Sequence, residues 1–142
     1  MAASASRLQI SNPRTSAIAE ILFDRGVAPG ADIVVVGCGS GHEAAVLADR
    51  LQARVTGIDV VNNFDTLASQ WAKLQVGDAQ AMDFPDAAFD VVFSYHALEH
   101  IPDQHKALAE MRRVLKPGGV YCVGTPNRSR VLGYIGGSST FR

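Results

Sequence analysis

Apolar residues recur along the chain in two patterns, short unbroken runs and helical spacing, and the two alternate. Ile18, Ile21 and Leu22 share one face of a helix predicted over Thr15 to Arg25, which Gly26 stops. Pro29-Gly30 then turns into Ile33 to Val36, four apolar residues in a row, the pattern of a strand buried on both faces. Ala44, Leu47, Ala48 and Leu51 lie on one side of a second helix, over about 41–51. Arg54 to Asp59 reads as a short strand ending in an acid, and Phe64 to Lys73 as a short helix that holds Trp71. Leu74 to Val76 is a brief third strand before Gly77-Asp78-Ala79. Phe89 to Ser94 is the fourth, followed by a helical turn at Ala97 to Ile101 and a break at Pro102. Asp103 is positioned to cap a helix running to Leu115, with Ala107, Leu108, Met111, Val114 and Leu115 as its apolar face. Lys116-Pro-Gly-Gly119 is a turn signal, and Val120 to Val123 the fifth strand.

Strand and helix alternating in this way predict a parallel sheet with right-handed crossovers and helices on both faces. Residues 1–13 are small and polar and read as a flexible arm, 14–124 as the core, and 125–142 as a tail rich in Gly, Ser and Arg. No confident strand follows Val123, so the sheet is expected to lack a final antiparallel hairpin. Its fifth strand would then be a bare edge, open to pairing. The tail, a second copy of the chain forming a homodimer, or a continuation of the protein could each cover it.

The chemistry concentrates where the first strand stops. Gly37-Cys38-Gly39-Ser40-Gly41 lets the backbone turn sharply and come close to a ligand that a Cβ would exclude. A strand, a glycine turn and a helix N-terminus in succession make a nucleotide site at the carboxyl edge of such a sheet. Asp59, at the end of the second strand, suits a carboxylate that accepts from ribose hydroxyls, in bonds worth about 1.5–3 kcal/mol. A dinucleotide fingerprint places its third glycine where this chain has His42, and no catalytic Tyr-Lys pair is present, which argues against a nicotinamide dehydrogenase.

Composition narrows the class further. The 142 residues suffice for one domain, and a formal net charge of −1 provides no basic field for capturing nucleic acid. Arg128, Arg130 and Arg142 make the tail locally basic, an ordinary solvated feature. No apolar stretch nears the roughly 18 residues of a membrane span, and the N-terminus lacks the apolar core of a signal peptide, so a cytoplasmic protein is expected. Cys38 and Cys122 form neither a disulfide framework nor a metal spacing, and Cys122 reads as an apolar filler.

From about Val27 to Asn127 the chain resembles the class I S-adenosylmethionine-dependent methyltransferases, in particular the small-molecule type grouped with the ubiquinone and menaquinone enzymes. The resemblance rests on Val-Gly-Cys-Gly-Ser-Gly, Gly-Ile-Asp, Gly-Asp-Ala, Phe-Pro-Asp-Ala-Ala-Phe-Asp-Val-Val, Ala-Leu-Glu-His-Ile-Pro-Asp and Met-Arg-Arg-Val-Leu-Lys-Pro-Gly-Gly, in that order. It implies a three-layer Rossmann-like fold and S-adenosyl-L-methionine as cofactor. It also implies a cofactor site of Gly37, Cys38, Gly39, Gly41, Asp59, Val60, Gly77, Asp78, Ala79, Ser94 and Tyr95. Within that set the glycines would lie under the methionine part and ribose, Asp59 would hold the ribose hydroxyls, and Asp78 with the Ala79 N–H would hold the adenine. Ser94 and Tyr95 would face the methionine end. One position departs from the pattern: the acid usual two residues before the first glycine, which helps hold the methionine ammonium, is Val35 here.

Methyl transfer from a sulfonium requires chiefly that donor and nucleophile be held in line, so no residue must be catalytic. His96 and His100, four apart beside the expected substrate mouth, and Tyr95 are weak candidates for acid–base work. His100 in this motif commonly serves structure. His42 reads as a surface residue, metal binding by His96, His100 and His105 is disfavoured by loose spacing, and Met82 and Met111 read as core. The segment after Gly124, with Val131, Leu132, Tyr134 and Ile135, resembles a lid for a lipophilic acceptor. Two functions follow: methyl transfer to a small or lipophilic acceptor, or a non-catalytic module that binds the cofactor or a partner.

Overall fold

The computed structural model describes residues 8–124 and the backbone of 134–137. Helix α1 (Pro13–Asp24) leads into β1 (Asp32–Val36), α2 (His42–Leu51), β2 (Arg54–Asp59) and β3 (Lys73–Val76). After these come β4 (Phe89–Tyr95), α3 (Gln104–Val114), β5 (Leu115–Gly124) and β6 (Tyr134–Gly137). The strands form one sheet in the order β3-β2-β1-β4-β5-β6, parallel from β3 to β5. The chain leaves β1 toward β2 on one side and later returns to β4 on the other. That reversal of winding opens a crevice beyond the carboxyl ends of β1 and β4.

The alternation of side chains on β1 builds the three layers. Ile33 and Val35 pack with Ile18, Ala19 and Leu22 of α1 and Ala44, Leu47, Ala48 and Leu51 of α2. Val34 and Val36 point the other way, onto Ala107, Met111 and Val114 of α3. The four apolar side chains of β1 are buried, each worth about 1.5–3 kcal/mol on removal from water. The cap expected for α3 is present, Asp103 Oδ1 accepting from the Lys106 N–H (3.1 Å), and α1 carries one that the sequence reading did not name, Asn12 Oδ1 accepting from the Thr15 N–H (3.1 Å).

Three local expectations are corrected. The helix expected over Phe64 to Lys73 is a single 3-10 turn, Ala68–Gln70. Asp65 caps that turn through Oδ2 and the Ala68 N–H (2.9 Å), and Lys73 already belongs to β3, paired with Thr56. The turn signal at Lys116 to Gly119 does not separate α3 from β5 but lies within β5 as a bulge. Leu115 pairs with Phe89 and Val120 with Val91, so four residues stand opposite Asp90 alone. Pro117 has no N–H for a ladder and Gly118 takes φ +80°, which explains why the extra length loops out here. Finally, the chain does supply an antiparallel strand after β5. Gly137 to Tyr134 of β6 pair with Val120 to Val123, so the edge for which a homodimer was one solution is covered by the chain's own tail. The side chains of that tail, the basic arginines and the lid residues lie outside the described residues.

The loop from Asp78 to Ala88 returns across the sheet and is fastened to α3 by one arginine. Arg113 donates to Glu110 Oε2 (2.6 Å), Asp86 Oδ1 (2.8 Å) and the carbonyls of Phe84 (2.8 Å) and Met82 (3.0 Å). Glu110 Oε1 in turn accepts the Met82 N–H (2.8 Å). The Arg113 hydrogen bond, with help from that N–H, holds Glu110 below its ordinary value despite partial desolvation. An acid depressed in the folded state contributes stability above its unfolded value of 4.5 and loses it as pH falls through the lowered one. Arg113→Ala is therefore expected to lower Tm at neutral pH, with the gap to wild type narrowing in acid; thermal melts across pH measure it, and a gap unchanged in strong acid contradicts the clamp. Gly41, at φ +95° and with Leu74 where a Cβ would sit, seats the start of α2 on β3. Gly41→Ala is expected to cost about 1–3 kcal/mol in denaturant unfolding, and a neutral effect would contradict this packing.

Candidate cofactor site

A cleft of about 360 Å³ lies beyond the carboxyl ends of β1, β2 and β4, in the size range of small-molecule sites. The glycine turn forms its floor. Gly37 has φ +72°, and an added Cβ would run into the Cβ of Ala97. The turn is bound to the tip of β2, where the Ile58 carbonyl accepts both the Gly37 and Cys38 N–H groups (2.9 Å each). The Asp59 carboxylate completes the attachment: Oδ2 accepts from Gly39 (2.8 Å) and Oδ1 from Val61 (3.0 Å). A carboxylate has about four lone-pair positions, so two remain for hydroxyl donors in the cleft.

Gly77, Asp78, Ala79 and Gln80 form the wall beyond β3. Asp78 Oδ1 accepts from the Gln80 N–H (2.8 Å) and from its side-chain amide (3.3 Å), while Oδ2 has no partner among the described residues. Gln80 Oε1 accepts the Asp103 N–H (3.2 Å), which ties this wall to the cap of α3. Oδ2 is thus available to a donor such as an exocyclic amine. Val60 completes that side with an apolar surface, 68% exposed.

Of the residues expected to hold the cofactor, the cleft brings together Gly37, Gly39, Asp59, Val60, Gly77, Asp78 and Ala79. The others stand behind its wall. Cys38 is buried against Gly57, and burial pushes its thiol up to about 12. Gly41 packs on Leu74. Ser94 is fully buried, its hydroxyl donating to the Val36 carbonyl (3.0 Å). Tyr95 is buried beside Gly124 with the Arg14 guanidinium over its ring, 4.2 Å from the centroid. Cys122 is equally inert, its thiol pushed by burial to about 12.

Sequence reasoning missed Ile58, Gln80, Ala97, Ile101 and Pro102 as lining residues, and weighed His96 and His100 for acid–base, metal or structural roles but not as cofactor contacts. Both histidines line the cleft. His96 takes a left-handed backbone, φ +61°, uncommon for a residue with a Cβ. Its Nε2 lies 3.1 Å from Arg14 Nη1, and a guanidinium can only donate, so Nε2 accepts and is not open as a base. His100 sits at the rim, 3.6 Å from Glu99. His42 is half exposed, 3.7 Å from Asp65. Among the described residues no group of three or more His, Cys, Asp or Glu is placed to hold a metal ion, and no helix is long and apolar enough to cross a membrane.

Residues 34–123 match the family model described as a methyltransferase domain. The chain is 39% identical over 106 residues to 2-methyl-6-phytyl-1,4-hydroquinone methyltransferase of Synechocystis sp., a stretch covering 70% of this chain and 33% of that protein. It is 38% identical over 114 residues to the demethylmenaquinone methyltransferase of Staphylococcus aureus, covering 74% and 47% respectively. The chain thus spans less than half the length of these relatives. The solved structure of the YcgJ protein from Bacillus subtilis superimposes with a TM-score of 0.68 at 24% identity, over 79% of this chain and 50% of that one, which shows the shared fold. With the glycine turn, the strand-tip acids and this match in agreement, the chain belongs to the methyltransferase-domain family, the class I S-adenosylmethionine-dependent methyltransferases.

Proposed function

We propose that the cleft binds S-adenosyl-L-methionine and that the protein, in the cytoplasm, transfers its methyl group to a small or lipophilic acceptor. The observation that carries this reading is the convergence of Gly37, Gly39, Asp59, Asp78 and Ala79 on one cleft. The residues fit the cofactor on two grounds. Gly39, in the cleft floor, leaves open space where a Cβ would stand, and two carboxylates keep acceptor capacity toward the cleft. Asp59 would take the ribose hydroxyls, and Asp78 with the Ala79 N–H the adenine edge. When bound, the cofactor supplies an electrophilic methyl group on a sulfonium, which leaves as a neutral thioether.

The chain's own contribution is to bind and orient. The turn, fixed to Ile58 and Asp59, holds its ligand at one depth, and the wall tied to α3 through Gln80 limits sliding along the cleft. An acceptor that is already deprotonated needs no base; a hydroxyl acceptor must lose its proton, and His100, exposed at the rim, is the lining imidazole that Arg14 does not engage. Two relatives are named for quinone-type substrates, which supports a lipophilic acceptor here.

Titration calorimetry tests the reading. S-adenosyl-L-methionine and S-adenosylhomocysteine are expected to bind, NAD is not, and Asp59→Ala is expected to weaken both ligands at least tenfold, about 1.4 kcal/mol. Binding of NAD in preference to the adenosyl ligands, or affinity indifferent to Asp59→Ala, contradicts it.

A further inference from the structure

Arg14 stands outside the cleft and yet fixes a residue of its wall. Its guanidinium reaches from α1 to three places: the ring of Tyr95 (4.2 Å), Glu43 Oε2 on α2 (3.7 Å) and Nε2 of His96 (3.1 Å). Glu43 also accepts from the hydroxyl of Thr15, itself fully buried (3.2 Å). Burial raises the Glu43 carboxyl, and Arg14 and Thr15 oppose that rise. His96 is held from its other sides as well. Its N–H donates to the Gly124 carbonyl (3.1 Å), and its ring lies 4.6 Å from that of Tyr95. A left-handed residue with a Cβ is strained, and such strain persists where the surroundings fix it.

The chemistry of the lining side chains singles out His96. An α-amino acid group on the ligand brings a carboxylate, which needs N–H donors. Asp59 and Asp78 only accept. Gln80 has its amide engaged with Asp78 and its carbonyl with Asp103. His100 lies beside the Glu99 carboxylate at the rim. With Nε2 of His96 accepting from Arg14, the proton of its neutral ring sits on Nδ1. Ala97, the next residue, faces Gly37, which puts His96 at the turn end of the cleft.

We infer that His96 donates its Nδ1–H to the carboxylate at the amino-acid end of the bound cofactor, with Arg14 as the positioning residue that fixes the ring for that bond. The inference rests on the cofactor reading above and assigns the end of the cleft that the departure at Val35 left without an obvious polar partner.

The test compares two ligands by calorimetry on the protein as it stands: S-adenosylhomocysteine, and methylthioadenosine, which has the adenosine and sulfur but no amino-acid group. His96→Ala is expected to weaken S-adenosylhomocysteine about tenfold and leave methylthioadenosine within about twofold. His96→Asn, which tolerates the left-handed backbone and keeps an N–H near the Nδ1 position, is expected to retain S-adenosylhomocysteine binding and guards against a folding artefact. Arg14→Ala is expected to weaken S-adenosylhomocysteine alone and to add nothing on a His96→Ala background, because the two act as one unit. Equal losses for both ligands, no loss in His96→Ala, or additive effects of the two substitutions would overturn the inference. Wild-type protein that binds methylthioadenosine and not S-adenosylhomocysteine overturns it too. Failure of wild type to bind either ligand removes the cofactor reading itself, and this inference with it.

Discussion

Three backbone N–H groups of the glycine turn are held by the tip of one neighbouring strand. Gly37 and Cys38 donate to the Ile58 carbonyl and Gly39 to the Asp59 carboxylate. The turn leaves β1 with a left-handed residue at Gly37 and again at Gly39, so its shape is reachable only without a Cβ, and its N–H groups need acceptors once β1 has ended. Strand β2 supplies them because it lies parallel and in register beside β1, with Ile58 opposite Val36. The sheet's register therefore decides where the cleft floor lies. Asp59 is both a structural acceptor and the group best placed for a ligand.

The opposite wall has a different construction. Asp78 and Gln80 follow the shortest of the parallel strands, on either side of the buried Ala79. Their position comes from polar ties: Gln80 to the cap of α3, then Glu110 and Arg113 to the backbone at Met82 and Phe84. Helix α3 thus does two jobs, burying one face of the sheet through Ala107, Met111 and Val114 and anchoring a binding loop through its polar face. The third side comes from α1, whose Arg14 joins α2 to the end of β4. A ligand in the cleft touches segments fixed by three different helices.

Much of this was legible in the sequence because the signals are local. The run Ile33–Val36, the glycines, the cap Asp103, and the acid ending β2 each declare themselves within a few residues. The short helix at Phe64 and the strand break at Lys116 were misread because pairing with β2 and β4 overrode local preference. Strand β6 was illegible for a related reason: Tyr134 and Ile135 favour a strand but are cut short by two glycines, and the segment pairs because β5 offers an open edge. His96, Ala97, Ile101 and Pro102 enter the cleft from the loop after β4, which topology places across from Gly37 at sixty residues' remove, a juxtaposition no short motif encodes.

The central claim is that the glycine turn and the two acid-tipped strands form one ligand site. Amide chemical-shift mapping of the nitrogen-15-labelled protein during titration with S-adenosylhomocysteine tests it most directly. The account predicts the largest shifts at Gly37, Gly39, Val61, Ala79 and Gln80, with Gly26 to Ala31 at the opposite end of the sheet unmoved. Shifts centred on that opposite end, or a saturating titration that leaves the Gly39 and Ala79 amides in place, would contradict it.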